Sequence, residues 1–270
     1  MAKIDTAFTG SIPSLYDRYM GPLLFEPYAQ DLAHRLSGLK GGRLLEVAAG
    51  TGIVTRALDR TLPPGVEIVA SDLNQAMLDH AMGVTKSSRI SWRQADAQAL
   101  PFKDGEFDAV VCQFGVMFFP DKQKAFREAR RVLKPGGRYL FSVWDRLEAN
   151  PVSLVVSDAV AACFPQDPPQ FFRRTPFGHF DQAPIRRDLE AAGFSKVDAQ
   201  TVAKHTQASA RDAAFGLCQG SPLRNEIEAR DPKGLDKVTE AAAKAIAARF
   251  GDGPIDNRMQ AIVFEAVRPR

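Results

Sequence analysis

The 270-residue sequence predicts an α/β fold: a seven-stranded, mostly parallel sheet with helices on both faces, an N-terminal helical cover, and helical or lid-like insertions. Two observations carry this expectation. Short continuous apolar runs, such as Ala109-Val110-Val111-Cys112, suit strands buried on both faces, and they alternate with amphipathic stretches of helical period. That alternation is what parallel strands joined by crossover helices require. The composition, 45% hydrophobic and 25% charged, is ordinary globular usage and excludes wholesale disorder or a fibrous architecture.

From Ile12 to Leu39, Leu15, Tyr19, Leu23, Leu24, Tyr28, Leu32 and Leu36 recur at helical steps, with Pro22 and Pro27 interrupting, so two or three short helices are expected. Arg43–Ala48 reads as a buried strand running into a glycine-rich turn. The series continues with a helix over 53–60, a strand over 67–71, a helix over 74–82 and strands over 89–94 and 107–113. A helix over 122–133, a turn at Lys134-Pro135-Gly136-Gly137 and a strand over 137–143 close the regular part. Between Glu148 and Pro184 the alternation fails, and prolines cluster among Phe164, Phe171, Phe172, Phe177 and Phe180, which reads as an insertion or lid. A helix over 185–192, a strand over 196–203, a helical stretch over 208–250 and a strand over 260–267 complete the chain. The whole reads as one domain: cover 1–40, core 41–147, lid 148–184 and C-terminal strands with a helical insertion over 185–270.

The formal charge of +3, without any run of basic residues, carries no nucleic-acid signature. Met1-Ala2-Lys3-Ile4-Asp5 lacks an apolar signal core, and no stretch reaches the roughly 18 apolar residues of a membrane span, so a cytoplasmic location is expected. Cys112, Cys163 and Cys218 are far apart and unpaired in spacing, and the histidines at 34, 80, 179 and 205 show no ligand spacing; neither a disulfide framework nor a metal site is expected.

The chemistry concentrates after the first strand, in Glu46-Val47-Ala48-Ala49-Gly50-Thr51-Gly52. Glycines there let the backbone approach a ligand, and the N–H groups of the following helix face it. A dinucleotide turn would place a third glycine at Thr55, and a phosphate turn has no need of a carboxylate at Glu46. Asp72, ending the second strand, can accept from ribose hydroxyls, and Asp96 adds a second acid at the end of the third.

In this ordered series, together with Asp72-Leu73-Asn74-Gln75-Ala76-Met77-Leu78, Leu100-Pro101-Phe102 and Arg131-Val132-Leu133-Lys134-Pro135-Gly136-Gly137, the sequence resembles the class I methyltransferases. The resemblance is to the group holding the ubiquinone/menaquinone C-methyltransferases and their small-molecule relatives, over roughly residues 43–143. It implies a Rossmann-like fold and S-adenosyl-L-methionine as cofactor. It further implies that Gly50 and Gly52, with Ala48, underlie the methionine portion and ribose, that Glu46 helps hold the ammonium, and that Asp72 grips the ribose. Leu73 and Met77 would flank the adenine, Asp96 and the Ala97 amide would meet its edge, and the segment Gln113-Phe114-Gly115-Val116 would pass beneath the methionine and the sulfonium. Gly or Cys often stands where Ala48 and Ala49 do here; a small side chain is expected to meet the same steric need. Tyr16-Asp17-Arg18-Tyr19 resembles a segment that closes over the cofactor, which makes Tyr19 a cofactor and lining residue.

A sulfonium methyl is already activated, so in-line positioning and exclusion of water are the main requirements, and no nucleophilic residue is needed. Tyr16, Tyr19, Phe114 and Phe118 are candidate lining groups, with core packing an open alternative for the phenylalanines. Where the acceptor must lose a proton, His179 is the candidate base; the alternative is a lid histidine, with Asp181 capping the helix that follows. The aromatic insertion suggests a small apolar or amphipathic acceptor such as a quinone, polyketide, phenolic or lipid-like molecule. A protein of the same fold catalysing a cyclisation with the cofactor structural, and a nucleotide-dependent oxidoreductase, are the competing readings. The helix over 237–250 could dock on its own sheet or on a partner chain, its own chain being preferred.

Overall fold

Strand β1 (Gly42–Val47) forms where Leu44, Leu45 and Val47 can be buried, and it opens at Gly42, whose φ of +98° leaves no room for a side chain beside Asp108. Helix α3 (Ile53–Thr61) follows, then β2 (Val66–Asp72), α4 (Gln75–Val84) and β3 (Ile90–Gln94). Asn74 caps α4 by accepting from the Ala76 amide, a short polar side chain doing what no apolar one can at a helix start. Strand β4 (Phe107–Gln113), α5 (Lys122–Val132, capped by Asp121) and β5 (Leu133–Trp144) end the regular alternation. The computed structural model describes residue 8, residues 10–251 and residues 253–270; Met1 to Ala7 and Thr9, where the helical cover was expected to begin, lie outside the described residues.

With β6 (Ser195–Ala208) and β7 (Ile255–Val267) the sheet has seven strands in the order β3-β2-β1-β4-β5-β7-β6. The pairs β3-β2, β2-β1, β1-β4 and β4-β5 are parallel. Strand β7 is antiparallel to β5: backbone bonds join Gly137 with Arg268 and Asp145 with Gln260. The reversal of strand order beside β1 places the carboxyl ends of β1 and β4 at a switch point, where open α/β sheets take ligands.

The chain divides into two compact units. One comprises the chain to Pro27, Trp144–His179 and Ala203–Gln260; the other comprises Tyr28–Val143, Phe180–Val202 and Ala261–Arg270. In the second unit Phe141 is fully buried, stacked on Phe264 at a centroid separation of 4.9 Å and tilted on Phe126 at 5.5 Å. It also holds α2 (Glu26–Arg35) from Tyr28 onward and α8 (Gln182–Ala191), which Asp181 caps through the Ala183 amide. The first unit is helical: α1 (Ile12–Leu15), a π-helical segment (Tyr16–Phe25), α6 (Pro151–Cys163), α7 (Phe171–Arg174), α9 (Ala210–Gln219), α10 (Leu223–Arg230) and α11 (Leu235–Phe250). Among the described residues no helix is long and apolar enough to cross a membrane.

Four local expectations change. Pro22 does not break the N-terminal helix; it sits inside the π-helical segment, where the wider i→i+5 ladder, seen in Glu26 N–H to Gly21 C=O, runs past a residue without a donor. Part of the insertion read as irregular is helix α6, whose Val152, Val155, Val156 and Val160 are buried at helical spacing; a run so apolar has weak amphipathicity and hides its period. Lys134-Pro135-Gly136-Gly137 is a bulge inside β5, since Phe107 pairs with Leu133 but Ala109 with Arg138. Gly136 takes φ +81° there, and a side chain on Gly137 would meet the Lys134 carbonyl at 2.8 Å. Helix α11, expected on the sheet or on a partner, packs on α6 and α9 of its own unit, with Val238, Ala242 and Ile246 buried.

Phe141→Ala should cost about 3–5 kcal/mol, because it removes a buried ring and leaves a cavity among aromatics that cannot collapse. Chemical denaturation checks this; a loss under about 1 kcal/mol would contradict the packing described.

Candidate functional site

The site grows from the carboxyl edge of the parallel strands, in the second unit. In register, Val47 is level with Ser71 and Asp72 with Gln94, while Gln113 is level with Ser142. The loops after β1, β2, β3 and β4 therefore open at one edge.

The turn after β1 has three residues in the left-handed region: Ala48 (φ +57°), Gly50 (φ +56°) and Gly52 (φ +79°). The Ala48 position is thus conformational as well as steric, which corrects the expectation that small size alone suffices: an L-residue pays about 1–2 kcal/mol for that backbone and glycine does not. Gly52 is also sterically confined, since a Cβ there would lie 3.0 Å from the Trp92 ring and 3.2 Å from the Ala81 methyl. Arg56 Nη1 donates to the Thr51 carbonyl at 2.8 Å and holds the turn from the side.

Asp72 ties the turn to the next loop. Its Oδ2 accepts from the Gly50 amide and its Oδ1 from the Asn74 amide, both at 2.8 Å. Burial pushes its pKa up, and the Asn74, Gly50 and Leu73 amides oppose that shift. Beside it, Leu73 is 59% exposed, a large apolar side chain left open at the strand edge. Met77 is buried, with its methyl 3.5 Å from where a Cβ on Gly50 would stand, so it supports the turn from below.

Glu46 lies deeper than its neighbours, at 1% exposure. Its Oε2 accepts from the Thr55 hydroxyl at 2.6 Å, and its backbone carbonyl accepts from Ser71 Oγ at 2.9 Å. Burial pushes its carboxyl up to about 8, opposed by the Thr55 hydroxyl and reinforced by the Asp72 charge.

At the end of β3 the Asp96 carboxylate accepts from the Gln98 amide at 2.8 Å, with buried Ala97 between them. Beyond β4, half-buried Gln113 leads into Phe114, which adopts φ +52°, a costly backbone for a bulky residue. The Phe114 ring is 6% exposed and meets Tyr28 edge-on at 5.3 Å, which is core packing.

Glu46, Ala48, Gly50, Gly52, Asp72, Leu73, Met77, Asp96, Ala97, Gln113 and Phe114 thus all fall in one unit, while Tyr19 and His179 fall in the other. Tyr19 is half-buried, its ring 4.9 Å from Phe215 and under the Arg18 guanidinium at 5.2 Å. His179 is half-buried at the end of its segment. The roles of two residues are not read from the sequence. Gly115 is expected only as part of the segment beneath the sulfonium, but a Cβ on it would stand 2.6 Å from the Ala48 methyl and 2.7 Å from Cys112 Sγ, so only glycine lets the loops after β1 and β4 meet. Thr55 was noted only as the absence of a glycine. A glycine just past a strand was the available signal for the first; nothing local marks the second.

A family model described as a methyltransferase domain matches residues 45–141. The ubiquinone/menaquinone biosynthesis C-methyltransferase UbiE of Pseudomonas aeruginosa is 33% identical over 176 residues, covering 60% of this chain and 69% of that protein. Phosphoethanolamine N-methyltransferase 2 of Haemonchus contortus, in complex with S-adenosyl-L-methionine, superposes with TM-score 0.64 at 17% identity, over 100% of this chain and 61% of that one. The [4+2]-cyclase SpnF superposes with TM-score 0.55 at 21% identity, over 91% and 81%. At these identities the two structures speak to the fold alone.

Two outcomes follow. Glu46 keeps its proton in the folded protein up to about pH 8, whereas the unfolded carboxyl releases it near 4.5. The folded state therefore binds more protons between these values, and stability falls as pH rises through that window. Glu46→Gln should escape the fall, so its melting temperature should gain on the wild type by on the order of 5 °C between pH 5 and pH 9; an unchanged gap in calorimetric scans would refute the assignment. Gly115→Ala should cost about 1–3 kcal/mol through overpacking, measurable by urea unfolding.

Proposed function

Since this chain belongs to the class I S-adenosylmethionine-dependent methyltransferases, we propose that it methylates a small apolar or amphipathic acceptor, of the quinone, polyketide, phenolic or lipid-like kind, by in-line transfer. The observation that carries the acceptor class is the likeness, over 69% of its length, to an enzyme named for quinone biosynthesis. The chain's own residues fit the cofactor: a turn of three left-handed residues with little or no side chain to bar close approach, an acid anchored beside it, and an exposed leucine next to that acid.

When bound, the sulfonium supplies a methyl group that needs no further activation. The work left to the protein is placement and exclusion of water. In this reading Asp72, already fixed by two backbone amides, uses its remaining lone pairs to accept from the ribose hydroxyls. Leu73 lies against one adenine face, and Asp96 with the Ala97 amide meets the purine edge. The backbone of Ala48 to Gly52 underlies the amino-acid portion, and Gln113 and Phe114 carry the chain beneath the reacting methyl. The resemblance alone makes Tyr19 a cofactor residue, its ring suited to face a cation, and His179 the base for an acceptor that must lose a proton. Phe171, Phe172 and Phe177 are buried in their own unit, which leaves Phe180, 39% exposed, as the aromatic of that stretch open to an acceptor.

Titration calorimetry with S-adenosylmethionine and S-adenosylhomocysteine tests the cofactor assignments. Both should bind, and Asp72→Ala should weaken them by about 100-fold or more, since it removes charge-assisted bonds and frees the Gly50 turn. Release of S-adenosylhomocysteine that depends on an added quinone or phenol tests the acceptor class; no turnover across such a panel would refute it.

A further inference from the structure

The residue that separates this turn from a dinucleotide turn also has a specific partner. Thr55 is fully buried in the first turn of α3, and its hydroxyl donates to the Glu46 carboxyl at 2.6 Å, across the turn that joins the two elements. Its Oγ1 is also 3.6 Å from where a Cβ on Gly52 would stand, so the pair reaches the last glycine of the turn. The groups that bear on Glu46 come from three neighbours: Thr55 and Arg56 on α3, Asp72 at the end of β2, and the Cys112 thiol on β4. A carboxyl this deep is costly to ionise, and one hydrogen-bond donor decides both where it points and how readily it gives up its proton.

We propose that Thr55 is a positioning residue for cofactor binding, acting through Glu46: its hydroxyl fixes the carboxyl under Gly50–Gly52 and so sets the turn against the cationic amino-acid portion of the cofactor. This rests on the cofactor reading above. A cation over the turn favours ionised Glu46, and burial holds that carboxyl at about 8 in its absence, so affinity rises with pH up to that value and then levels. Loss of the Thr55 hydroxyl removes an interaction that lowers the carboxyl's pKa, so the levelling point moves upward.

The test is calorimetric affinity for S-adenosylmethionine from pH 6 to 9 in the full-length wild type, Thr55→Val, Thr55→Ser and Glu46→Gln, with circular dichroism melts of each. Thr55→Val, close to isosteric, should bind about tenfold more weakly at pH 7 and level at a higher pH. Thr55→Ser should recover the wild-type profile, because it restores the donor. In Glu46→Gln the rise toward pH 8 should vanish, leaving only the titration of the cofactor's own amine, common to all four proteins. A Thr55→Val protein with wild-type affinity and profile overturns the proposal, as does one that is weaker at every pH by the same factor, which is what a merely structural threonine would give. Should Thr55→Val fail to fold, the Glu46→Gln profile decides: persistence of the rise overturns the proposal and its loss supports it. Absence of binding by folded wild type removes the cofactor reading itself, and this proposal with it.

Discussion

The site depends on one bridging interaction, the Asp72 carboxylate accepting from Gly50 on one side and Asn74 on the other. It exists because β1 and β2 run parallel and in register, with Val47 level with Ser71, so Asp72, the last residue of β2, stands beside the turn that leaves β1. The same carboxylate that orders the turn stands two residues before the α4 cap, so the geometry of two helix starts is set from one side chain. Burial works against its charge, and three backbone amides offset part of that cost locally.

Around this bridge the backbone is held in conformations that most residues avoid. Ala48, Gly50 and Gly52 after β1 and Phe114 after β4 are all left-handed, and Gly115 lets the two loops touch. Strain of this kind persists only where the surroundings over-determine it. Here they do: Tyr28 pins the Phe114 ring, Trp92 and Ala81 press on Gly52, and Ser142 accepts the Phe114 amide at 3.0 Å. A rigid edge of this sort suits an enzyme whose chemistry requires placement more than acid or base power.

Polar groups are concentrated at depth on the same side. Glu46, Thr55 and Ser71 are all essentially buried and bonded to one another or to backbone, which replaces apolar packing with directional contacts beneath the turn. The helical unit follows a different logic. Its α6, α9 and α11 bury alanines, valines and leucines against one another, and its aromatics, including Phe172, Phe177 and Trp144, pack mainly among themselves at 5.9 Å separations.

Much of this was legible in order along the chain. Apolar runs marked β1, β2, β4 and β5, helical periodicity marked α3, α4 and α5, and the glycines with Asp72 marked the turn, because these signals are local: each depends on the residue's own backbone preference or its immediate neighbours. Element ends were less legible, as β6 and β7 run several residues beyond their apolar cores. What only the tertiary structure decided was everything requiring two distant segments at once. That Gly115 must lack a side chain to pass Ala48 follows from strands β1 and β4 lying side by side, and that Phe114 turns toward Tyr28 follows from the packing of α2 on the loop after β4. The sequence by itself determined which residues prefer strand, helix and turn; close approach between residues dozens of positions apart is a property of the assembled sheet, where packing leaves room for one atom and not for two.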